Sequence, residues 1–253
     1  MRLTNAGKQM LKLRDVASTI EFGKDDKHGP LPRLLLVLTV VTGVVDAVSF
    51  LKLGHVFVAN MTGNIVFLGF AVADATDFSI PTSLVAIAAF LAGALAGGRL
   101  ALSLGRHRGR YLAVATLIET VLVGAALVIS LSPLHPNGEI SRYALIVLLA
   151  LAMGTQNAAA RRLGVPGMTT TVLTLTLTGL AADSNFAGGK QSQIGRKLGA
   201  VGGMFLGAAL GAVLVFHSGL STALALALAL LVLTSIAAYQ QSTSSANWAG
   251  GVS

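Results

Sequence analysis

Apolar residues in this chain come in long unbroken runs, not in the one-sided stripes of a soluble amphipathic helix. Six runs, 34–51, 83–104, 111–131, 143–159, 198–216 and 220–239, approach or exceed the about 18 residues that mark a membrane span. Two further runs, Ile65 to Ala73 and one ending near Ala182, fall well short of the ~20 residues a crossing needs. Each short run follows a polar break. The first break is Asn60, Met61, Thr62, Gly63 and Asn64; the second runs from Gly164 through Pro166 and Gly167 to Thr169, Thr170 and Thr171. Val56 to Ala59, leading into the first break, are β-branched and aromatic and suit extended backbone. The break residues then supply capping side chains for short helices. The pattern predicts an all-α polytopic membrane protein: six transmembrane helices plus two broken elements, each a short extended strand leading into a half-helix.

The runs divide the chain into a polar tail (1–31), a transmembrane repeat (32–132), a second repeat (142–239) and a C-terminal tail (240–253) that carries no charged side chain and reads as disordered. In the first tail, Met10, Leu11, Leu13, Val16 and Ile20 trace either a weak amphipathic helix on the inner surface or no fixed structure. No apolar core follows the early positive residues, as a signal peptide would require. Three anchors support duplication. Gly43 to Ala47 matches Gly154 to Ala158 at an offset of 111, Asn60 to Asn64 matches Gly167 to Thr171 at 107, and Phe90 to Gly97 matches Phe205 to Ala212 at 115. Shared Ala, Gly and Leu content would explain the third anchor alone, but not the preserved order of all three.

Charge placement orients the repeats. The basic N-terminus and the run Arg106 to Arg110 read as cytoplasmic, and the loop bearing Asp74 and Asp77 as external. One full span and one short helix between them must amount to one crossing, so the short element dips in and returns. Arg161 and Arg162 read as cytoplasmic, as do Lys190, Arg196 and Lys197, so the second short element dips from the opposite face. Three crossings per repeat make the two repeats inverted, with both termini cytoplasmic.

Composition narrows the function classes. The 253 residues are 54% hydrophobic and 11% charged, against about 25% charged in soluble domains. The net charge of +8 does not signal nucleic acid, because seven of the 18 Lys and Arg precede the first span and no aromatic-interleaved basic surface accompanies them. There is no cysteine, which excludes disulfides, thiolate zinc sites and cysteine nucleophiles. The five histidines are scattered with no metal-ligand spacing. No nucleophile elbow or phosphate-cradling loop occurs. No enzyme, cofactor or metal is expected; the expected partners are a small-molecule solute and the lipid bilayer.

Half-helices entering from opposite faces would bring their N-termini together near the midplane, where free N–H groups and helix dipoles attract anionic or strongly polar groups. Asn60, Thr62, Gly63, Asn64, Asn157, Thr169, Thr170 and Thr171 are the candidate substrate-binding residues; the competing reading makes them caps that only bridge the fold. Asp46 and Glu119 are the only acids well inside spans, where such groups face cavities, pair with bases or relay protons. Asp46 shares a helical face with Thr39, Thr42 and Ser49 and aligns with Asn157. It reads as a proton-coupling acid or as the ion-pair partner of Arg161 or Lys52. Glu119 reads as a second coupling acid or as a group bonded to a neighbouring threonine. His55 stands at the mouth of the first break.

The run Gly43 to Ala47, then Ser49 to Leu51, then Gly54 to Gly69, resembles the signature of the YoaK family, small bacterial inner-membrane proteins often called permeases. The segment Gly154 to Asp183 resembles the same family, and the likeness extends from about Leu34 to Tyr239. It supports the fold and implies no particular substrate. A looser architectural similarity is to nucleobase and SulP anion transporters, which carry a strand and half-helix in each inverted repeat but are far longer. The expected function is a secondary transporter for a small polar or anionic solute, with proton coupling. An uncoupled channel or facilitator, and a membrane sensor or assembly protein, are the alternatives.

Overall fold

Prolines and capping side chains set where the helices begin. The structure, a computed structural model, describes residues 27–132, 138–168, 173–183 and 194–250. Among them lie α1 Leu31–Lys52, α2 Met61–Val72, α3 Ile80–Leu104, α4 Arg108–Leu131, α5 Glu139–Leu163, α6 Leu173–Ala182, α7 Ile194–His217 and α8 Leu220–Gln240. Proline sits in the first turns of α1 and α3, where a missing N–H is no loss. Ser79 and the His107 ring cap α3 and α4, each accepting from a first-turn amide. α5 ends on Gly164 in the left-handed conformation.

Six helices (α1, α3, α4, α5, α7 and α8) are long and apolar enough to cross a membrane. The chain is a multi-pass, helical membrane protein. No β-strand occurs among the described residues, so the extended strand expected over Val56 to Ala59 is absent, while the second break runs into residues outside those described. A strand needs a partner ladder. The amides of Phe57, Val58 and Ala59 bond to side chains instead.

α1 and α5 form the centre, with 61% of each apolar stretch buried against 28–39% for the other four spans. α1 packs chiefly on α7, α3 on α5, and α4 on α8. The lesser contacts come in matched pairs: α4 on α5 with α8 on α1, α2 on α3 with α6 on α7, and α3 on α4 with α7 on α8. The two main crossings also match residue by residue, at glycines that let backbones touch. A Cβ added at Gly43 would overlap Met204 O and Ala208 N; one at Gly154 would overlap Phe90 O and Ala94 N. Likewise Gly207 abuts Val40 and Gly93 abuts Leu151, while Gly211 abuts Val44 and Ala47 and Gly97 abuts Thr155 and Ala158. The offset is 111 between α1 and α5, and 114 between α3 and α7. The offset of 115 expected for the latter pair is therefore one too many. It would set Ala208, not Gly207, where the backbones meet.

The helix ends sort into two layers. At the basic end, an Arg108 N–H donates to Leu163 O and its guanidinium lies 3.4 Å from His28 Nδ1. Arg110 Nε donates to Ser242 O at 3.1 Å. At the other end, Ser130 Oγ donates to Ser221 Oγ at 3.1 Å, and Gly54 lies near Thr82 and Arg142. The end of α1 lies beside the start of α3, with Gly54 near Thr82, and α2 comes between them in sequence. α7 runs parallel to α1, since Gly203, Gly207 and Gly211 face Leu36, Val40 and Val44 in turn. α6 therefore connects the basic ends of α5 and α7, where Lys197 Nζ bonds Asp183 Oδ2 at 2.7 Å and Gly179 O at 3.1 Å.

Residues 241–250 are folded, contrary to the disorder their composition suggested. Trp248 is buried against Gly29, and a short 3-10 turn spans Asn247–Ala249. His107 Nε2 donates to Ser244 O at 2.9 Å while Nδ1 accepts from Arg110 N at 3.2 Å. Uncharged as it is, this segment supplies the carbonyls that the basic loop needs.

Candidate functional site: an acid clipped to an unwound segment

Past Lys52 the chain reverses. Gly54 (φ 96°) and His55 (φ 52°) are both left-handed, a region that glycine enters freely and other residues rarely. His55 is held there by Nδ1 on Asp77 O at 3.3 Å and by an edge contact with Phe50 at 5.3 Å. The reversed segment then runs back along α1 as far as Asp46. That lies six residues inside the helix end, about 9 Å at 1.5 Å per residue.

Two side chains replace the missing backbone partners. Asp46 Oδ1 accepts from Val58 N at 3.1 Å and from Ala59 N at 2.9 Å. Asn64, in the first turn of α2, accepts from Phe57 N at 2.9 Å and donates to Phe57 O at 2.6 Å. Unwound backbone inside an apolar bundle persists only when its polar groups are satisfied in this way. Asp46 and Asn64 are both buried. Asp46 Oδ2 has no hydrogen-bond partner among the described residues.

A second buried amide meets this face. Gln156 on α5 donates to Thr42 Oγ1 at 2.7 Å and to Leu38 O at 3.3 Å, and its Oε1 is unpartnered among the described residues. Thr39 and Thr42 donate to carbonyls one turn back, and Ser49 donates to Asp46 O. The α1 face predicted from spacing is thus a buried polar strip, facing α5 at its middle.

The other candidates fall as follows. Asp46 makes no ion pair with Lys52 or Arg161 among the described residues; its partners are backbone amides. Glu119 is fully buried in α4, and both its oxygens lack partners among the described residues. The expected threonine bond is not formed, because Thr116 and Thr120 donate to carbonyls on their own helix. Asn60 is the N-cap residue of α2 but makes no side-chain cap bond; it and Thr62 are exposed. Gly63 leaves room for the Phe57 ring. Asn157 donates to Met153 O at 2.8 Å. Thr169, Thr170 and Thr171 lie outside the described residues, so the second tip has no geometry here. Among the described residues, α2 packs on α3 and α6 on α7, with no contact between α2 and α6.

The model of the family described as "Protein of unknown function (DUF1275)" matches residues 34–237, from the first turn of α1 to the last turn of α8. The chain belongs to the DUF1275 family. It is 35% identical over 150 residues to the UPF0700 transmembrane protein YoaK of Bacillus subtilis (strain 168), covering 59% of this chain and 65% of that protein. The aligned stretch is thus just under two thirds of the relative's length. No solved structure matches.

Sequence reasoning passed over two features of this DUF1275 chain. One is Gln156, which lies inside the anchor Gly154 to Ala158 and bridges α5 to α1. The second is an aromatic cluster walling the first break: Phe50 stacks on Phe57 at 5.0 Å, Phe57 on Phe67 at 5.6 Å and Phe67 on Phe78 at 4.7 Å. Its signal was available, since five of the ten phenylalanines fall between residues 50 and 78.

Proposed function

We propose that this DUF1275 protein is a secondary transporter for a small polar or anionic solute, coupled to protons through Asp46 and Glu119. The observation that carries the reading is the Asp46 carboxylate. It is buried in the central helix, unpaired on one oxygen among the described residues, and bonded through the other to the unwound segment that leads into α2. A change of charge on that group acts directly on the two amides holding the segment. Loading with a proton would thereby be tied to movement of α2, the kind of element that gates a solute path.

In this reading α2 and α6 are re-entrant, each folding back on the face it started from, and the halves 32–132 and 142–239 are inverted repeats. The paired crossings and the opposite ends occupied by α2 and α6 support it. Asn60, Thr62 and Gly63, with Asn157 and the tip residues Thr169, Thr170 and Thr171, would line the solute path. Asn64 holds the break, since both its polar atoms are on Phe57. The protein would sit in the inner membrane with both termini in the cytoplasm.

Proteoliposome uptake of a panel of labelled small anions and polar solutes, with and without a pH gradient, tests the function. Gradient-driven accumulation that is lost in Asp46→Asn is the expected result. Equilibration indifferent to the gradient would make the protein a facilitator. Binding without flux would make it a sensor or assembly factor. For topology, reporters after Asp77 and after Gly189 are expected on opposite sides, and agreement between them would overturn the inverted arrangement.

A further inference from the structure

At the end of the bundle opposite the basic loop, the last residue of α1, the end of α4 and the starts of α5 and α8 enclose a cavity of about 440 Å³. Its polar lining is Lys52, Ser130, Ser141, Arg142 and Ser221, with Gly138 and Gly219 at its edge. The hydrogen-bonding capacity there is lopsided toward donors. Arg142 Nε is buried with no acceptor, and neither Lys52 Nζ nor Ser141 Oγ has a partner among the described residues. Gly138 and Gly219 are the N-cap residues of α5 and α8, and neither can offer a side-chain acceptor to the first-turn amides. Two long helices therefore turn uncapped N-termini toward the same space.

The guanidinium is positioned rather than loose. Arg142 Cζ lies 5.4 Å from the Tyr143 ring centre, and its Nη2 touches Glu139 Oε1 at 3.4 Å. Glu139 is the one acid beside the cavity among the described residues. Its side chain is 82% exposed and lies outside the lining, so it offsets only part of the positive charge. Ser130 and Ser221 bond each other and tie α4 to α8. That leaves Lys52, Ser141 and Arg142 as the side chains with donors to offer.

We propose that this cavity binds a phosphate group, held by Lys52, Arg142 and Ser141 and by the first-turn amides of α5 and α8. Arg142 Nε, a buried donor with no acceptor among the described residues, demands one, and the exposed Lys52 and half-buried Ser141 stand beside it. A compact oxyanion meets cations, a hydroxyl and helix N-termini together, as neither a cation nor an apolar ligand could. The site lies at helix ends, level with a lipid headgroup, so the phosphate is either free or part of an anionic lipid. The inference does not depend on transport, because it is read by binding alone.

Thermal unfolding of the full chain in detergent with inorganic phosphate, against chloride at equal ionic strength, tests the first source. Nanodiscs of phosphatidylglycerol, against the same discs made with phosphatidylcholine, test the second. A phosphate-dependent rise in Tm supports a free anion. A rise only with phosphatidylglycerol supports a headgroup. In either arm, Arg142→Gln and Lys52→Gln are expected to abolish the response, and Ser141→Ala to weaken the apparent affinity about tenfold. Ser141→Ala removes one oxygen and keeps the arm readable if a charge variant does not fold. No shift in either arm, or equal shifts in wild type and all three variants, would overturn the proposal.

Discussion

Two substitutions at one position separate what Asp46 does for the fold from what its charge does. Val58 and Ala59 are buried, and both amides bond to Asp46 Oδ1. Asp46→Ala leaves two buried N–H groups without an acceptor, at about 1–3 kcal/mol each, or about 2–6 kcal/mol together. At about 2–4 °C per kcal/mol for a chain of this size, the lower end is already a fall in Tm of about 4 °C. Asp46→Asn keeps the accepting Oδ1. It alters only the position of Oδ2, which has no partner to lose among the described residues, so its cost stays near one neutral hydrogen bond, about 1 kcal/mol.

Thermal unfolding of the purified variants in detergent reads the difference, and limited proteolysis across 54–60 reports whether the segment has come loose. The expected order is wild type, then Asp46→Asn close behind, then Asp46→Ala well below with new cleavage near the break. Equal losses for the two variants would mean that the charge, not the accepted amides, carries the stability. An unchanged Asp46→Ala would mean that the clip holds nothing. With the expected order in hand, a transport defect in Asp46→Asn belongs to coupling and not to misfolding.

The paired crossings predict paired damage: Gly207→Ala and Gly93→Ala each force a methyl into a backbone oxygen and should each cost about 1–3 kcal/mol by overpacking. Gly202→Ala, with nothing within 4 Å, should leave Tm unchanged. Trp248→Ala removes the ring that covers Gly29 and should release 241–250 to carboxypeptidase without lowering the main transition by more than a few degrees. A full collapse would mean that the segment is part of the core.

Hydropathy located all six spans but cut them at the first charge. Arg33, Arg108, Glu139, Arg142 and Arg196 fall inside first turns, where a long side chain reaches the membrane surface while its backbone stays helical. The first break was legible as a break because its side chains conflict with a helix. Its conformation was not, since β-branched residues promise a strand and no second strand exists to pair with. The Asp46 bonds to Val58 and Ala59 span 12 and 13 positions and leave no trace in periodicity. The order of three sequence anchors suggested a duplication, yet only the facing backbone oxygens distinguish an offset of 114 from 115 between α3 and α7.

The frame is matched across its two halves and the polar groups are not. Gly43 and Gly154 do the same work at equivalent crossings, whereas the counterpart of Asp46 is Asn157, and the counterpart of Gln156 is Val45. The aromatic wall stands around the first break, and at the offset of 111 its Phe50 corresponds to Arg161. A frame kept in register while its buried acid sits in one half argues that the acid is not a packing requirement. The second half packs the same crossing without one. Asp46 is therefore a buried position at which the two halves differ in charge, and, if the proposed transport holds, it is the first residue to vary in a search for the solute.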